Sequence, residues 1–162
     1  MKVRDAMMRT PAYCSSETNL GAAVEILWNR NCGILPVVDS KQRVIGLVTD
    51  RDLCVALGTR NRLPGEITVG EVATGKVYSC RAEDDIRTAM EMMARRQVRR
   101  LPVVNQDGVL EGILSMDNVI LHAKTEAPGR PSELGDADIV LTLKRIYSPQ
   151  LPEVVTTRAV AV

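Results

Sequence analysis

The chain repeats itself, and that constrains its fold more than any other feature. Sliding the sequence by 66 residues aligns Val3–Cys54 with Val69–Ile120 without a gap. Eleven of the 52 aligned positions are identical, where chance would give roughly three. The identities are clustered: Leu35-Pro36-Val37-Val38 falls on Leu101-Pro102-Val103-Val104, and Gly46 falls on Gly112. Elsewhere the character is kept, as in Leu20/Ile86, Val24/Met90, Leu27/Met93, Thr49/Ser115 and Asp52/Asn118. A unit of about 50 residues buries too little surface to be stable alone, so the two copies are expected to pack together around a pseudo-twofold axis.

Each copy carries the same series of elements. Leu20, Ala23, Val24 and Leu27 have the i, i+3, i+4, i+7 spacing of one helical face and predict a helix over Thr18–Arg30, capped by Ser16 or Thr18. Ile86, Ala89, Met90 and Met93 repeat that face, and the methionines read as core packing. Two β-rich runs follow, Ile34–Val38 and Val44–Val48, with Arg100–Val104 and Val109–Leu114 as their counterparts. The stretches Asp39–Arg43 and Asn105–Gly108 turn the chain between them. Pro36 and Pro102 lack an N–H, which places each near a strand start or on an edge. A helix opens at Thr49 and at Ser115, and short strands are expected at Ala12–Cys14 and Val77–Cys80. The order is β-α-β-β-α, twice.

The first repeat is thus expected over residues 1–60 and the second over 61–124. Residues 125–162 have no counterpart. Thr125–Gly135 reads as a linker, and Asp136–Tyr147 as an amphipathic helix with Ile139, Val140, Leu143 and Ile146 on one face. Pro149 and Pro152 end it, and Glu153–Val162 form a tail without assignment.

Composition narrows the function. Of 162 residues 45% are hydrophobic and 25% charged, which suits a globular chain. Twenty-one basic residues against 20 acidic ones give a net charge of +1, and aromatics are 2%. Nucleic acid is not an expected partner, for want of a basic footprint and of stacking side chains. No window approaches the roughly 18 apolar residues of a membrane span, and Met1–Met8 is not followed by the apolar stretch of a secretory leader. Cys14, Cys32, Cys54 and Cys80 lie too far apart for a zinc site, so no metal and reduced thiols are expected, in a cytoplasmic protein. The single histidine, His122, supports no triad, and the common phosphate-loop signatures are absent. Glu83, Asp84 and Asp85 suit a helix start. No enzyme is expected.

One pattern points to binding. In Gly46-Leu47-Val48-Thr49-Asp50-Arg51-Asp52 and Gly112-Ile113-Leu114-Ser115-Met116-Asp117-Asn118, a strand runs into a helix through a hydroxyl residue. The free N–H groups there suit a phosphate. Asp52 can take two hydrogen bonds from a vicinal diol such as a ribose. The same Thr-x-x-Asp spacing also makes a helix cap.

Val3-Arg4-Asp5-Ala6-Met7, Leu-Pro-Val-Val in both copies, and Gly-x-x-Thr/Ser-x-x-Asp/Asn together resemble the cystathionine-β-synthase (CBS) domain family. A tandem pair resembles a Bateman module, and the likeness covers Val3 to about Ala123. It implies an α/β (α+β) fold: two βαββα units packed through their sheets with pseudo-twofold symmetry. It also implies a regulatory sensor of an adenine nucleotide, with AMP, ADP or ATP foremost and NAD or S-adenosylmethionine in some members. Carried over, the first site uses Thr49 for phosphate and Asp52 for ribose beside Arg51. Thr10, Pro11, Ala12, Gly33, Ile34 and Pro36 wall its base. The second uses Ser115 with Asp117 and Asn118, walled by Lys76, Val77, Tyr78, Leu101 and Pro102, with Arg99 and Arg100 for phosphate. Asn118 stands where an aspartate is expected, so the two sites are not equivalent. The other reading is a module that works only through dimerisation or a partner protein.

Apolar residues beyond the core stripes, Ile26, Trp28, Met92 and Ile120, together with the tail helix, predict a homodimer. The tail helix is expected on the dimer or on its partner chain, and an effector protein is a further expected partner.

Overall fold

The computed structural model describes residues 1–123 and 134–148. Lys124, residues 125–133 of the expected linker, and the tail with Pro149 and Pro152 lie outside the described residues. Helix α1 (Val3–Ala6) leads into α2 (Leu20–Asn29), β1 (Ile34–Val38), β2 (Val44–Thr49) and α3 (Asp50–Thr59). Short 3-10 turns at Pro64–Glu66 and Val69–Glu71 open the second copy, followed by α4 (Ile86–Arg96), β3 (Arg100–Val104), β4 (Leu110–Ser115) and α5 (Met116–His122). Helix α6 (Asp136–Tyr147) closes the described chain.

The expected strands and helices are present, with local corrections. Helix α2 is capped by Asn19, whose side chain accepts from the Ala22 N–H at 2.9 Å, and not by Ser16 or Thr18. The β1–β2 hairpin pairs Pro36 with Leu47, and β3–β4 repeats the register with Pro102 opposite Ile113. The strands expected at Ala12–Cys14 and Val77–Cys80 shrink to single parallel bridges, Cys14 with Val37 and Cys80 with Val103. Proline is the physical reason. Cys14 donates to the Pro36 carbonyl at 3.0 Å and accepts from Val38 N–H at 2.8 Å. The next rung would need an N–H on Pro36, and the second copy meets the same gap at Pro102.

The pseudo-twofold axis is visible in the bridges between copies. Arg43 pairs with Val109, residues 66 apart in sequence and therefore equivalent. Lys2 pairs with Asp85 as Thr68 pairs with Asn19, and Met8 pairs with Ile113 as Thr74 pairs with Leu47. Each leader, the segment before the first long helix of its copy, is therefore attached to the other copy.

The cores follow the same exchange. Val3 and Ala6 pack with Ile86, Met90, Met93, Leu101, Leu114 and Val119 of the second copy. Ile67 and Val69 pack with Leu20, Leu27, Leu35, Val48 and Leu53 of the first. The repeat in sequence and the unit of packing are not the same stretch of chain.

Helix α6 folds back on the second copy of its own chain. Ile139 and Ile146, each 6% exposed, join the second core against α4 and α5. Two ion pairs clasp it to α4: Arg87 with Asp138 at 2.8 Å, and Arg145 with Glu91. Gln97 Nε2 donates to the Ser148 carbonyl at 2.7 Å, and Arg99 Nη1 to the Tyr147 hydroxyl at 3.2 Å.

Candidate ligand site

Each candidate cleft starts where a hairpin strand becomes a helix. Thr49 ends β2 and caps α3: its Oγ1 accepts from Asp52 N–H at 3.2 Å. Asp52 Oδ2 accepts in return from the Thr49 N–H at 2.9 Å and its hydroxyl at 2.7 Å. Ser115 and Asn118 reproduce this at α5, with Asn118 Oδ1 taking Ser115 N–H at 3.1 Å and Oγ at 2.7 Å. The capping role weighed for this spacing is therefore realised in both copies.

The caps leave different groups over. Among the described residues, Asp52 Oδ1 takes no hydrogen bond, so a carboxylate acceptor remains for a diol. Asn118 has spent its carbonyl oxygen, and its Nδ2 can only donate. The two corners present opposite hydrogen-bonding characters.

The leaders carry the expected walls between the two copies. Thr10, Pro11 and Ala12 lie between the Met8–Ile113 bridge to the second copy and the Cys14–Val37 bridge to the first. Lys76, Val77 and Tyr78 lie between the Thr74–Leu47 bridge to the first copy and the Cys80–Val103 bridge to the second. Each leader thus passes from one copy to the other before it reaches its own hairpin. The strand glycines permit the crossing. A Cβ on Gly46 would lie 3.1 Å from the Thr74 carbonyl oxygen, and one on Gly112 only 2.6 Å from that of Met8. A glycine inside a strand marks such an approach, and that was the signal in the sequence that could have found it.

The remaining expected residues divide. Ile34, Pro36, Leu101 and Pro102 are buried, and Leu101 at 0% exposure belongs to the second core. Arg51, Asp117, Lys76 and Thr10 are exposed. Tyr78 lies under two cations, Arg96 at 4.6 Å and Lys76 at 5.7 Å from its ring centre. Arg99 turns to Tyr147. Arg100 lies 3.8 Å from Asp117 Oδ2 and reaches the first copy, where a Cβ on Gly33 would meet Asp50 Oδ2 at 3.2 Å and Arg100 Nη1 at 3.7 Å. Gly33 and Arg100, expected in different sites, therefore share one groove of about 710 Å³ with Asn31, Cys32 and Asp50, which the sequence reading did not place in a site.

Among the described residues, no three His, Cys, Asp or Glu side chains converge as metal ligands. No described helix is long and apolar enough to cross a membrane. Burial pushes the Cys14 thiol up to about 11. Burial, with the Asp84 carboxylate adding to it, takes Cys80 to about 12.

The CBS domain family model matches residues 3–59 and 69–124, the two copies described above. The chain belongs to the CBS domain family. As a CBS pair it is 30% identical over 121 residues to the CBS domain-containing protein YhcV of Bacillus subtilis, covering 74% of this chain and 84% of that one. Hypoxic response protein 1 of Mycobacterium tuberculosis is 27% identical over 146 residues, covering 90% and 94%. The solved structure of CBSX2 in complex with AMP superimposes with a TM-score of 0.65 at 28% identity, covering 75% of this CBS pair and 93% of that chain. Of other curated relatives, from Methanopyrus kandleri and Thermofilum pendens, this chain spans about half the length or less.

Proposed function

We propose that this CBS pair is a regulatory, non-catalytic module that binds an adenine nucleotide at the corners of its two repeats and works as a homodimer. AMP, ADP and ATP are the leading ligands, with NAD and S-adenosylmethionine as further candidates. The observation that carries the reading is the Thr49–Asp52 corner: a helix start, a spare carboxylate oxygen for a ribose, and a leader delivered from the other repeat. Leaders and corners together make a site that exists only when both repeats are folded, which suits a sensor. The AMP complex of CBSX2 supports the choice of ligand class. The first cleft pairs Thr49, Asp52 and Arg51 with Lys76, Val77 and Tyr78. The second pairs Ser115, Asn118 and Asp117 with Thr10, Pro11 and Ala12. Arg100, with Gly33 beside it, stands ready for the phosphates.

A second reading, a structural module without ligand, draws on the same geometry. Thr49–Asp52 and Ser115–Asn118 both complete helix caps and need no nucleotide to be satisfied. A thermal-shift panel of AMP, ADP, ATP, NAD and S-adenosylmethionine separates the two. A ligand at 100 times its dissociation constant adds about 2.7 kcal/mol, several degrees for a chain of this size. A flat response to all five would establish the structural reading.

A further inference from the structure

The outer side of α4 is grooved and cationic. Tyr78 packs against the second core and lies under Arg96 and Lys76, at 4.6 and 5.7 Å from its ring centre. Among the described residues no carboxylate pairs with either cation. From Tyr78 a groove of about 590 Å³ runs along α4 past Met92 and Arg95 to Arg87, and every residue lining it belongs to the second copy. Glu91, on the same groove, is already shared by Arg95 at 2.9 Å and Arg145 of α6. A single carboxylate is thus set among Lys76, Arg95, Arg96 and Arg145, in a chain whose net charge is only +1.

We infer that this groove is a docking surface for an acidic peptide segment of an effector protein, whose carboxylates meet Arg95 and Arg96 on α4 and Lys76 beside them. The inference goes beyond the nucleotide reading. It borders the first cleft at Lys76 and Tyr78, while its α4 cations stand outside that cleft.

The duplication supplies the comparison. At the equivalent positions the first copy has Thr10 for Lys76, Ala12 for Tyr78, Gly21 for Arg87 and Asn29 for Arg95, while Glu25 and Arg30 match Glu91 and Arg96. The fold of a repeat therefore does not need these cations or this ring, and only the second copy carries them. Their chemistry selects the partner. A guanidinium stacked on an aromatic face keeps its in-plane N–H donors for a carboxylate. Tyr78 and Met92 give the groove an apolar floor, and tyrosine and arginine are residue types enriched at protein interfaces. Arg87 and Arg96 are nine residues apart on α4, about 13 Å along the axis, the reach of about four residues of extended peptide. A peptide with spaced carboxylates can pass Glu91 with a neutral residue. The evenly charged backbone of a nucleic acid cannot avoid it, so a peptide is the partner that fits.

The test is fluorescence anisotropy of a fluorescein-labelled peptide of alternating Glu and Ser, about twelve residues long so that it overspans the groove, with the full chain at low salt. Wild type is expected to bind it, more weakly as salt rises. Arg96→Glu is expected to weaken binding about fivefold or more, because a reversed charge repels the carboxylates. Arg30→Glu, the same change at the equivalent exposed position of the first repeat, is expected to leave binding unchanged. Circular dichroism confirms that both variants are folded, and if Arg96→Glu is not, Arg96→Gln decides by the same comparison. No binding at low salt, equal losses in Arg30→Glu and Arg96→Glu, or tighter binding of a labelled single-stranded oligonucleotide of the same length overturns the proposal. The nucleotide panel is run on Arg96→Glu as well. A nucleotide response kept while the peptide is lost upholds the surface, and loss of both together overturns it in favour of the cleft. Peptide binding in a wild type that answers to no nucleotide upholds the surface and tells against the sensor reading alone.

Discussion

Met8 and Ile113 exchange both backbone hydrogen bonds, at 2.9 and 3.0 Å, although they belong to different repeats. Thr74 and Leu47 do the same in mirror position, at 2.9 and 3.1 Å. Gly112 and Gly46 lie one residue before Ile113 and Leu47, and their missing side chains leave room for the crossing carbonyls. Gly112→Ala is therefore expected to destabilise the chain by about 1–3 kcal/mol, the range for overpacking. Gly46→Ala, whose Cβ has half an ångström more, should cost less. Thermal melts of the two variants check the order, and equal melting temperatures would contradict the crowding at Met8.

Asp52 serves the α3 cap through Oδ2 and offers Oδ1 to a ligand. Asp52→Asn keeps an oxygen for the cap and loses the charged acceptor. Nucleotide affinity at that cleft should fall by about 1.5–3 kcal/mol with little change in melting temperature. Asp52→Ala should in addition lose about 0.5–2 kcal/mol of stability with the cap. Titration calorimetry beside thermal melts separates the roles, and an Asn variant of undiminished affinity would leave Asp52 as a cap alone.

Arg99 and Arg100 adjoin in sequence and diverge in space. Arg100→Ala is expected to weaken ATP more than adenosine, by a margin that shrinks as salt rises. Arg99→Ala should leave that difference unchanged and loosen the Tyr147 end of α6. Equal losses for ATP and adenosine in Arg100→Ala would remove it from the phosphate role.

Acid should release α6. Hydrogen bonds from Arg145 and then Arg95 hold the Glu91 carboxyl down to about 2, and Arg87 lowers Asp138. A carboxylate with a depressed folded-state pKa stabilises above its unfolded value, and that contribution is lost as pH falls through the folded one. The clasp is therefore intact at neutral pH and weakens between about 4.5 and 2. Amide exchange in α6 should quicken over that window ahead of α4. Unchanged protection there would show that Ile139 and Ile146 hold the helix without the ion pairs.

The thiols should react in order of exposure. Cys54 is exposed, Cys32 half-buried, and Cys14 and Cys80 are buried with raised pKa values. At mildly alkaline pH, alkylation followed by mass spectrometry should modify Cys54 first and leave Cys14 and Cys80 to unfolding conditions.

Much of this fold was legible from local pattern. The hairpins declared themselves through β-branched runs, and α6 through its apolar face, down to its first and last residues. The leaders did not, because a single backbone bridge to another repeat leaves no periodic trace in side chains. Only Gly46 and Gly112 carried the information, as gaps where a strand interior normally has a side chain. The address of α6 was hidden for a related reason: an amphipathic stripe states that a face will be covered, not by which neighbour. At the corners, the Thr/Ser and Asp/Asn pairs were found from their spacing, while the walls were grouped by sequence proximity, to which the crossing of the leaders is invisible.

Because each leader is rooted in the opposite core, neither repeat can open without pulling its own end out of the other. The pair should behave as one cooperative unit and not as two foldons in series. A ligand held at one corner would thereby stiffen the whole chain. A cut in the exposed stretch 60–66 would leave two fragments still clasped by their exchanged arms.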